Sequence, residues 1–137
     1  MTTRLAGRPL VAGNSIGVSL TTDVPLSLWG GLDPASGEII DRHHPLSGQS
    51  LSGRTLVLPH GRGSCSASGV LLEAIRNGMA PAGIIVSQVD PILGLGAILG
   101  DELFEIVVPV VLVTPAERIE IPDEHPLTIA IDGAISW

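Results

Sequence analysis

The sequence has no lysine, no tyrosine and only one cysteine, Cys65. All its basic residues are arginines, seven in number against fourteen aspartates and glutamates, so the formal net charge is -7. This charge argues against the basic surface that binding to the phosphate backbone of nucleic acids requires. A single cysteine excludes an internal disulfide and an all-cysteine metal site within this chain, and it favours a reducing cytoplasm.

Long hydrophobic runs are also missing, although 45% of the residues are hydrophobic. No charge-free apolar stretch reaches the ~18 residues that a membrane span needs. Residues 1–13 include Arg4 and Arg8 and lack the continuous apolar core of a signal peptide. We therefore expect a soluble protein and a single domain over residues 1–137.

Aromatic residues make up only 2% of the sequence, so the core has to be built from aliphatic side chains. The many β-branched residues favour a sheet. Apolar runs predict strands at residues 10–20, 55–58, 83–86 and 110–113. Glycine, aspartate and proline between apolar segments predict two hairpins, one joining residues 26–29 to 38–41 and one joining residues 118–121 to 127–131.

Two segments have the end signals of helices. The first is residues 66–76, followed by Asn77 and Gly78, because glycine after a helix favours the left-handed cap. The second starts at Asp90 and Pro91 and runs to residue 99, with Asp90 as its N-cap. Strand 55–58, helix 66–76 and strand 83–86 together predict a βαβ unit.

A glycine-rich turn lies between that first strand and its helix. Gly61 and Gly63 permit backbone angles and close approaches that a Cβ forbids. Ser64, Cys65 and Ser66 follow where the helix begins, so free N–H groups there can hold an anion, and Arg62 adds a guanidinium. The alternative is that Ser64 or Ser66 only caps the helix.

Known catalytic patterns do not fit this turn. A P-loop needs a lysine, and the Rossmann pattern needs a third glycine separated from Gly63 by two residues, which is absent. A serine hydrolase would use Ser64 with His43, His44, His60 or His125, but the Gly-x-Ser-x-Gly elbow is absent. Cys65 is either a thiolate activated at the helix start or a small, partly buried side chain, which is commoner.

Two other segments offer candidate residues for lining a cleft. His43 and His44 are adjacent, so in an extended segment they point to opposite faces and at most one faces a site. A second group surrounds a tryptophan that either forms a pocket wall or anchors a loop by packing. Its members are Trp29, Gly30, Gly31 and Asp33, and Asp33 before Pro34 is by default a turn residue.

Three segments carry a specific pattern: residues 28–34 (LWGGLDP), 41–46 (DRHHPL) and 59–69 (PHGRGSCSASG). Together they resemble the small, swivel-type subunit of the aconitase X enzymes, and the resemblance covers nearly the whole chain. It implies an α/β fold, the swivelling β/β/α domain, with a mainly β core and one or two packed helices.

The resemblance also implies residue roles. In the wider aconitase superfamily a Gly-x-Gly-Ser-Ser-Arg-Glu loop carries the serine that takes a proton from the substrate. Ser64 matches that serine and is the implied general base, while Cys65 matches the second serine. Ser66 stands where the superfamily has arginine, which leaves open how the substrate carboxylate is held. The implied substrate-binding residues are Gly61, Arg62, Gly63, Cys65 and Ser66.

The implied activity is that of a hydro-lyase small subunit, active only with a separate large subunit that holds an iron–sulfur cluster or iron. We expect no metal on this chain, no nucleic acid and no membrane partner. The expected reaction is dehydration of cis-3-hydroxy-L-proline to pyrroline-2-carboxylate, with mevalonate 5-phosphate as the alternative substrate. Two other classes remain open: a non-catalytic anion-binding regulatory module, and a stand-alone hydrolase using Ser64 and a histidine.

Overall fold

The computed structural model describes residues 3–137, so the first two residues of the expected domain lie outside the described residues. The strands are β1 (Arg4–Ala6), β2 (Arg8–Val11), β3 (Ser15–Thr21), β4 (Thr55–Leu58), β5 (Gly83–Val86), β6 (Val110–Leu112), β7 (Pro126–Ile129) and β8 (Ala134–Ser136). The helices are α1 (Ala67–Arg76), α2 (Pro91–Phe104) and α3 (Pro115–Glu120). No helix within residues 3–137 is both long and apolar enough to cross a membrane.

The eight strands form one mixed sheet in the order β1-β8-β7-β3-β4-β5-β6-β2. Strands β3, β4, β5 and β6 are parallel neighbours, and the other pairs are antiparallel. β1 and β2 stand at opposite ends of this order, yet only Gly7 separates them in the sequence. Because consecutive Cα atoms are ~3.8 Å apart, the two ends of the sheet have to meet, and the sheet closes on itself at Gly7.

Side chains that alternate along the parallel strands build two separate cores. Val57 and Ile85 face the antiparallel strands and pack in one cluster with Leu127, Ile129 and Ile135. The neighbouring residues of β4 and β5 belong to a second cluster that includes the buried side chains of α1 and α2. The result is a β/β/α layering, which confirms the predicted fold class.

Helices α1 and α2 pack closely because glycine lines their contact. A Cβ on Gly96 would lie 2.9 Å from the carbonyl oxygen of Ser68, and one on Gly100 would lie 2.6 Å from Ile75 Cδ1. The predicted βαβ unit is confirmed, since β4 and β5 are parallel neighbours joined through α1. α1 ends at its cap residue Asn77, and Gly78 after it has a φ of +71°.

Two predicted elements have different bounds. The strand expected at residues 10–20 is divided, because β2 ends at Val11 and the chain turns to a new partner before β3. Gly13 lies in that turn, where a Cβ would be 2.5 Å from Val107 Cγ1. The second helix runs to Phe104 rather than residue 99, and it ends where Glu105 adopts a φ of +55°.

Both predicted hairpins are wrong. Residues 26–29 and 38–41 do not pair with each other: Leu26 forms an isolated bridge with Gly61, Ile39 forms one with Leu32, and Glu38 forms one with Ser50. Residues 118–120 lie in α3, because Thr114 and Glu117 form a capping box that starts a helix. The hairpin near the C-terminus instead joins β7 to β8.

Candidate active site

The candidate site lies where β4 ends, at the carboxyl edge of the parallel strands. The carbonyl oxygen of Pro59 accepts hydrogen bonds from the backbone N–H groups of Ser87 and Gln88, at 3.0 and 3.1 Å. These hydrogen bonds hold the residue after β4 against the segment that follows β5. The carboxyl edge of parallel strands is where open α/β sheets usually bind their ligands.

Gly61, the first glycine of the loop, is held from two directions. Its N–H donates to Asp90 Oδ2 at 2.7 Å, and Gly61 forms a parallel bridge with Leu26. A Cβ at this position would lie 2.8 Å from the same Asp90 oxygen. From the sequence, Asp90 is predicted only as the cap of α2. No local pattern links it to Gly61, which lies 29 residues earlier in the chain.

Gly63, the second glycine, has the left-handed φ of +93° that disfavours other residues. A Cβ here would approach Ser27 Oγ to 2.8 Å. The segment around Ser27 therefore packs directly against the glycine loop. This contact places Ser27, the residue just before segment 28–34, against segment 59–69, and sequence spacing alone did not predict it.

Ser64 is exposed at the outer end of the loop. Its Oγ accepts a hydrogen bond from the N–H of Ser66 at 3.1 Å, and its carbonyl oxygen accepts one from Ala67 at 3.0 Å. Ser66 is the N-cap residue of α1, but its side chain makes no capping hydrogen bond. The capping alternative therefore does not hold for Ser66. Ser64 does make a cap-type bond, because its Oγ accepts from an N–H two residues later at the start of α1.

The start of α1 offers free donors beside this hydroxyl. Within residues 3–137, the backbone N–H groups of Ser64 and Cys65 have no hydrogen-bond acceptor. Arg62 is exposed and forms no ion pair with the described part of the chain. Unpaired N–H groups, a helix N-terminus and a free guanidinium together suit a carboxylate or phosphate.

Cys65 is a free, exposed thiol, so the interpretation of it as a partly buried side chain is wrong. Its carbonyl oxygen accepts from both the N–H and the hydroxyl of Ser68, at 3.3 and 2.8 Å. These bonds fix the first turn of α1. The thiol is thus presented on the outer side of the loop, next to Ser64.

The histidines do not assemble a hydrolase site with Ser64. His44 is buried, with Nε2 3.1 Å from the carbonyl oxygen of Val24 and Nδ1 accepting from Leu46 N–H at 3.1 Å. His60 contacts the carbonyl oxygen of Gly61 through Nδ1, and His43 is exposed. Among residues 3–137, no histidine side chain hydrogen-bonds Ser64.

The candidates around Trp29 divide into turn residues and an exposed ring. Trp29 is 61% exposed, and Gly30 and Gly31 form the tight turn that follows it. Asp33 acts as a turn residue, since its carboxylate accepts from Ala35 N–H and Ser36 Oγ at 3.0 and 2.9 Å. Ser27 links the turn of Trp29 to the glycine loop, because its Oγ donates to the Trp29 carbonyl oxygen at 3.0 Å and it packs against Gly63.

Residues of this chain do not supply a metal centre within the described range. In residues 3–137, no three His, Cys, Asp or Glu side chains form a group that could hold a metal ion.

A small cavity lies beside the loop. Gly61, Arg62 and Asp90 line this cavity of about 30 Å³ together with Leu26 and other apolar side chains. At the far end of α1, a hydrogen bond from Arg76 lowers the pKa of the Glu73 carboxyl.

Comparisons with known proteins add independent findings. The family described as the aconitase X swivel domain matches residues 4–136. The chain is 48% identical over 128 residues to cis-3-hydroxy-L-proline dehydratase of Pseudomonas aeruginosa, covering 93% of this chain and 22% of that protein. It is 51% identical over 82 residues to the phosphomevalonate dehydratase small subunit of Methanopyrus kandleri, covering 60% of this chain and 61% of that subunit.

A solved structure also matches over nearly the full length of the chain. The crystal structure of Thermococcus kodakaraensis aconitase X in its holo-form superposes with a TM-score of 0.86 and 31% sequence identity. The match covers 97% of this chain and 96% of that one. By contrast, the chain spans only 22% of the length of the Pseudomonas relative and 18% of the Hypocrea jecorina cis-3-hydroxy-L-proline dehydratase.

Proposed function

This chain belongs to the aconitase X swivel-domain family, and from that premise we propose that it is the small-subunit part of a hydro-lyase. The substrate we propose is cis-3-hydroxy-L-proline, converted to pyrroline-2-carboxylate. The similarity to the Pseudomonas dehydratase supports this choice, because it extends over 93% of the chain. Mevalonate 5-phosphate is the second candidate, supported by the 51% identity to the Methanopyrus small subunit.

The single observation that carries the proposal is the placement of Ser64. Ser64 is exposed just before α1, and within residues 3–137 the N–H groups of Ser64 and Cys65 have no acceptor. In the proposed reaction, Ser64 Oγ takes the proton from the carbon next to the substrate carboxylate while the hydroxyl on the adjacent carbon leaves. The double bond forms between those two carbons, and the leaving hydroxide takes up a proton and departs as water. Ser64 Oγ then releases the proton it took, so the net products are the unsaturated acid and water.

A serine hydroxyl is too weak an acid to be ionised at neutral pH without help. The N–H of Ser66, 3.1 Å from Ser64 Oγ, donates to this oxygen and would stabilise its charged form. The partial positive charge at the start of α1 acts in the same direction. Water has to be excluded for these dipoles to act strongly, so we propose that a partner covers the exposed loop during turnover.

The same loop would also hold the anionic end of the substrate. The free N–H groups of Ser64 and Cys65 and the guanidinium of Arg62 are the groups available for a carboxylate. Gly61 and Gly63 have no side chains that would obstruct close approach to the backbone. We propose that Arg62 and these N–H groups replace the arginine that the superfamily has at the position of Ser66.

We propose that the partner is a separate large subunit that carries an iron–sulfur cluster or iron, in a cytoplasmic heterodimer. That group would polarise the leaving hydroxyl of the substrate. The cysteine count is in keeping with this division, because one cysteine cannot supply the thiolates that hold an iron–sulfur cluster. The Methanopyrus relative supports a separate partner, because it is named a small subunit. In the Pseudomonas relative, by comparison, most of the protein lies outside the matched region of the same chain.

The proposal is tested by purifying this chain with the large subunit of the same organism and assaying dehydration of both candidate substrates. We expect the complex to convert cis-3-hydroxy-L-proline and the chain alone to convert neither compound. A complex that contains iron but dehydrates neither substrate would contradict the proposal. Esterase activity of the chain alone would favour the hydrolase alternative.

A further inference from the structure

Asp90 connects two elements through one carboxylate group. Oδ1 accepts hydrogen bonds from the N–H groups of Ile92 and Leu93, both at 3.1 Å, which caps the start of α2. Oδ2 accepts from the N–H of Gly61 at 2.7 Å. The residue is 8% exposed, so these charge-assisted bonds are largely protected from water.

The hydrogen bond from Gly61 is not needed for capping α2, because one carboxylate oxygen of Asp90 is sufficient for the cap. Within residues 3–137, Asp90 is the sole side chain from outside residues 60–66 that hydrogen-bonds the backbone of residues 61–64. Those residues lead directly to Ser64, whose own side chain is exposed and makes only a local bond. The Arg62 N–H also donates to the carbonyl oxygen of Leu26, at 3.3 Å. The carboxylate of Asp90 and this backbone bond therefore fix the start of a segment whose outer end is little constrained, and Asp90 provides the charge-assisted bond.

We infer that Asp90 is a positioning residue for Ser64, an inference that rests on the proposed function. It touches no substrate; it acts by holding the peptide of Gly61, which sets the direction in which the loop leaves β4. Displacement of a reacting group by ~1 Å can reduce a rate by about a hundredfold. A carboxylate that only capped α2 would affect stability and leave the rate per folded enzyme unchanged.

The substitution Asp90→Ser separates the two roles of this carboxylate. Serine is a good N-cap, so its hydroxyl can still accept from the first N–H groups of α2. It has only one oxygen and a shorter side chain, and it cannot reach Gly61 at the same time. Thr114→Ala is the matched control, because it removes an N-cap bond of 3.1 Å from Glu117 N–H on α3. Within residues 3–137, the side-chain hydrogen bonds of α3 go to other parts of the chain than residues 60–66.

Two measurements read out the inference: amide hydrogen exchange at Gly61 and Arg62 in the full chain, and kcat of the complex with the large subunit. We expect Asp90→Ser to speed exchange at these two amides and to lower kcat at least about tenfold. Subunit association should persist. Thr114→Ala should leave both quantities within about twofold of the wild type while lowering the unfolding temperature.

The inference is overturned if Asp90→Ser behaves like Thr114→Ala in either measurement. Faster exchange with normal kcat would show that the loop does not depend on Asp90 during turnover. Lower kcat with normal exchange would show that Asp90 acts by another route. If the wild-type complex dehydrates neither substrate, the proposed function fails, and hydrogen exchange by itself decides whether Asp90 holds the loop.

Discussion

Gly7 and Gly133 meet where the two ends of the sheet join. Gly133 has a φ of +91°, and a Cβ on it would lie 2.4 Å from the carbonyl oxygen of Gly7. The reverse contact is also close, since a Cβ on Gly7 would be 2.7 Å from the carbonyl oxygen of Gly133. Neither backbone can move away easily, because each residue directly adjoins a paired strand.

Gly133→Ala is therefore expected to destabilise the protein by at least about 2 kcal/mol. The alanine would be strained at this positive φ, and its Cβ would clash with the carbonyl oxygen of Gly7. Gly48→Ala is the matched control, because its φ is +86° and a Cβ there meets nothing within 4 Å. We expect this control to cost about 1 kcal/mol, which is the strain alone. Urea unfolding measures both, and equal losses would contradict the role of close packing at the junction.

At the scale of elements, the pair of helices α1 and α2 covers the parallel strands beneath the site. α2 contains three glycines, and each would destabilise an isolated helix relative to alanine. Two of them, Gly96 and Gly100, face α1 and allow its close approach. The third, Gly94, is also buried, but a Cβ there would meet nothing within 4 Å.

The two kinds of glycine respond oppositely to alanine. Gly94→Ala should raise the free energy of unfolding by about 0.5–1 kcal/mol, because alanine is the better helix former. Gly96→Ala should lower it by about 1–3 kcal/mol, because its Cβ meets the Ser68 carbonyl. Chemical denaturation of the two variants checks the signs, and a gain in stability for Gly96→Ala would refute the packing described here.

Local signals predicted the elements that depend on local chemistry. β4, α1 and β5 are short, have clear end signals and follow one another in the chain. β4 and β5 are also neighbours in the sheet. Asp90 was correctly identified as the cap of α2. The expected strand at residues 118–121 failed because the capping box formed by Thr114 and Glu117 outweighed the alternating pattern.

Long-range contacts account for what the sequence did not predict. The segment from residue 22 to residue 54 has almost no regular structure, and its turns are held by bonds such as that of His44 to Val24. The glycines and serines of residues 61–66 could be predicted as site residues, because a glycine turn before a helix is a local pattern. The supports of that loop, Ser27 and Asp90, are distant in sequence and become visible only in the folded chain.

The whole molecule is a closed sheet with a core on each face of its parallel half. β3 pairs with β4 on one side and β7 on the other, so it belongs to both halves of the sheet. The β1–β2 segment joins the two halves again through Gly7. Neither core can separate from the other without breaking these shared strands.

We therefore expect both cores to unfold in one cooperative transition. Trp137 packs against the core between the sheet halves, so its fluorescence reports that core once the exposed Trp29 is replaced by phenylalanine. Far-ultraviolet circular dichroism reports α1 and α2 on the opposite face. The two signals should give the same denaturation midpoint, and separate midpoints would show that the halves are independent.

The most direct test of the proposed function is kcat of the Ser64→Ala variant in complex with the large subunit. Loss of a general base predicts a decrease of about a thousandfold, while subunit association and the unfolding temperature stay close to those of the wild type. Ser136→Ala, in β8 and separated from β4 by two strands, is the control and should retain kcat. A Ser64→Ala complex with near-normal kcat would contradict the assignment of Ser64 as the base.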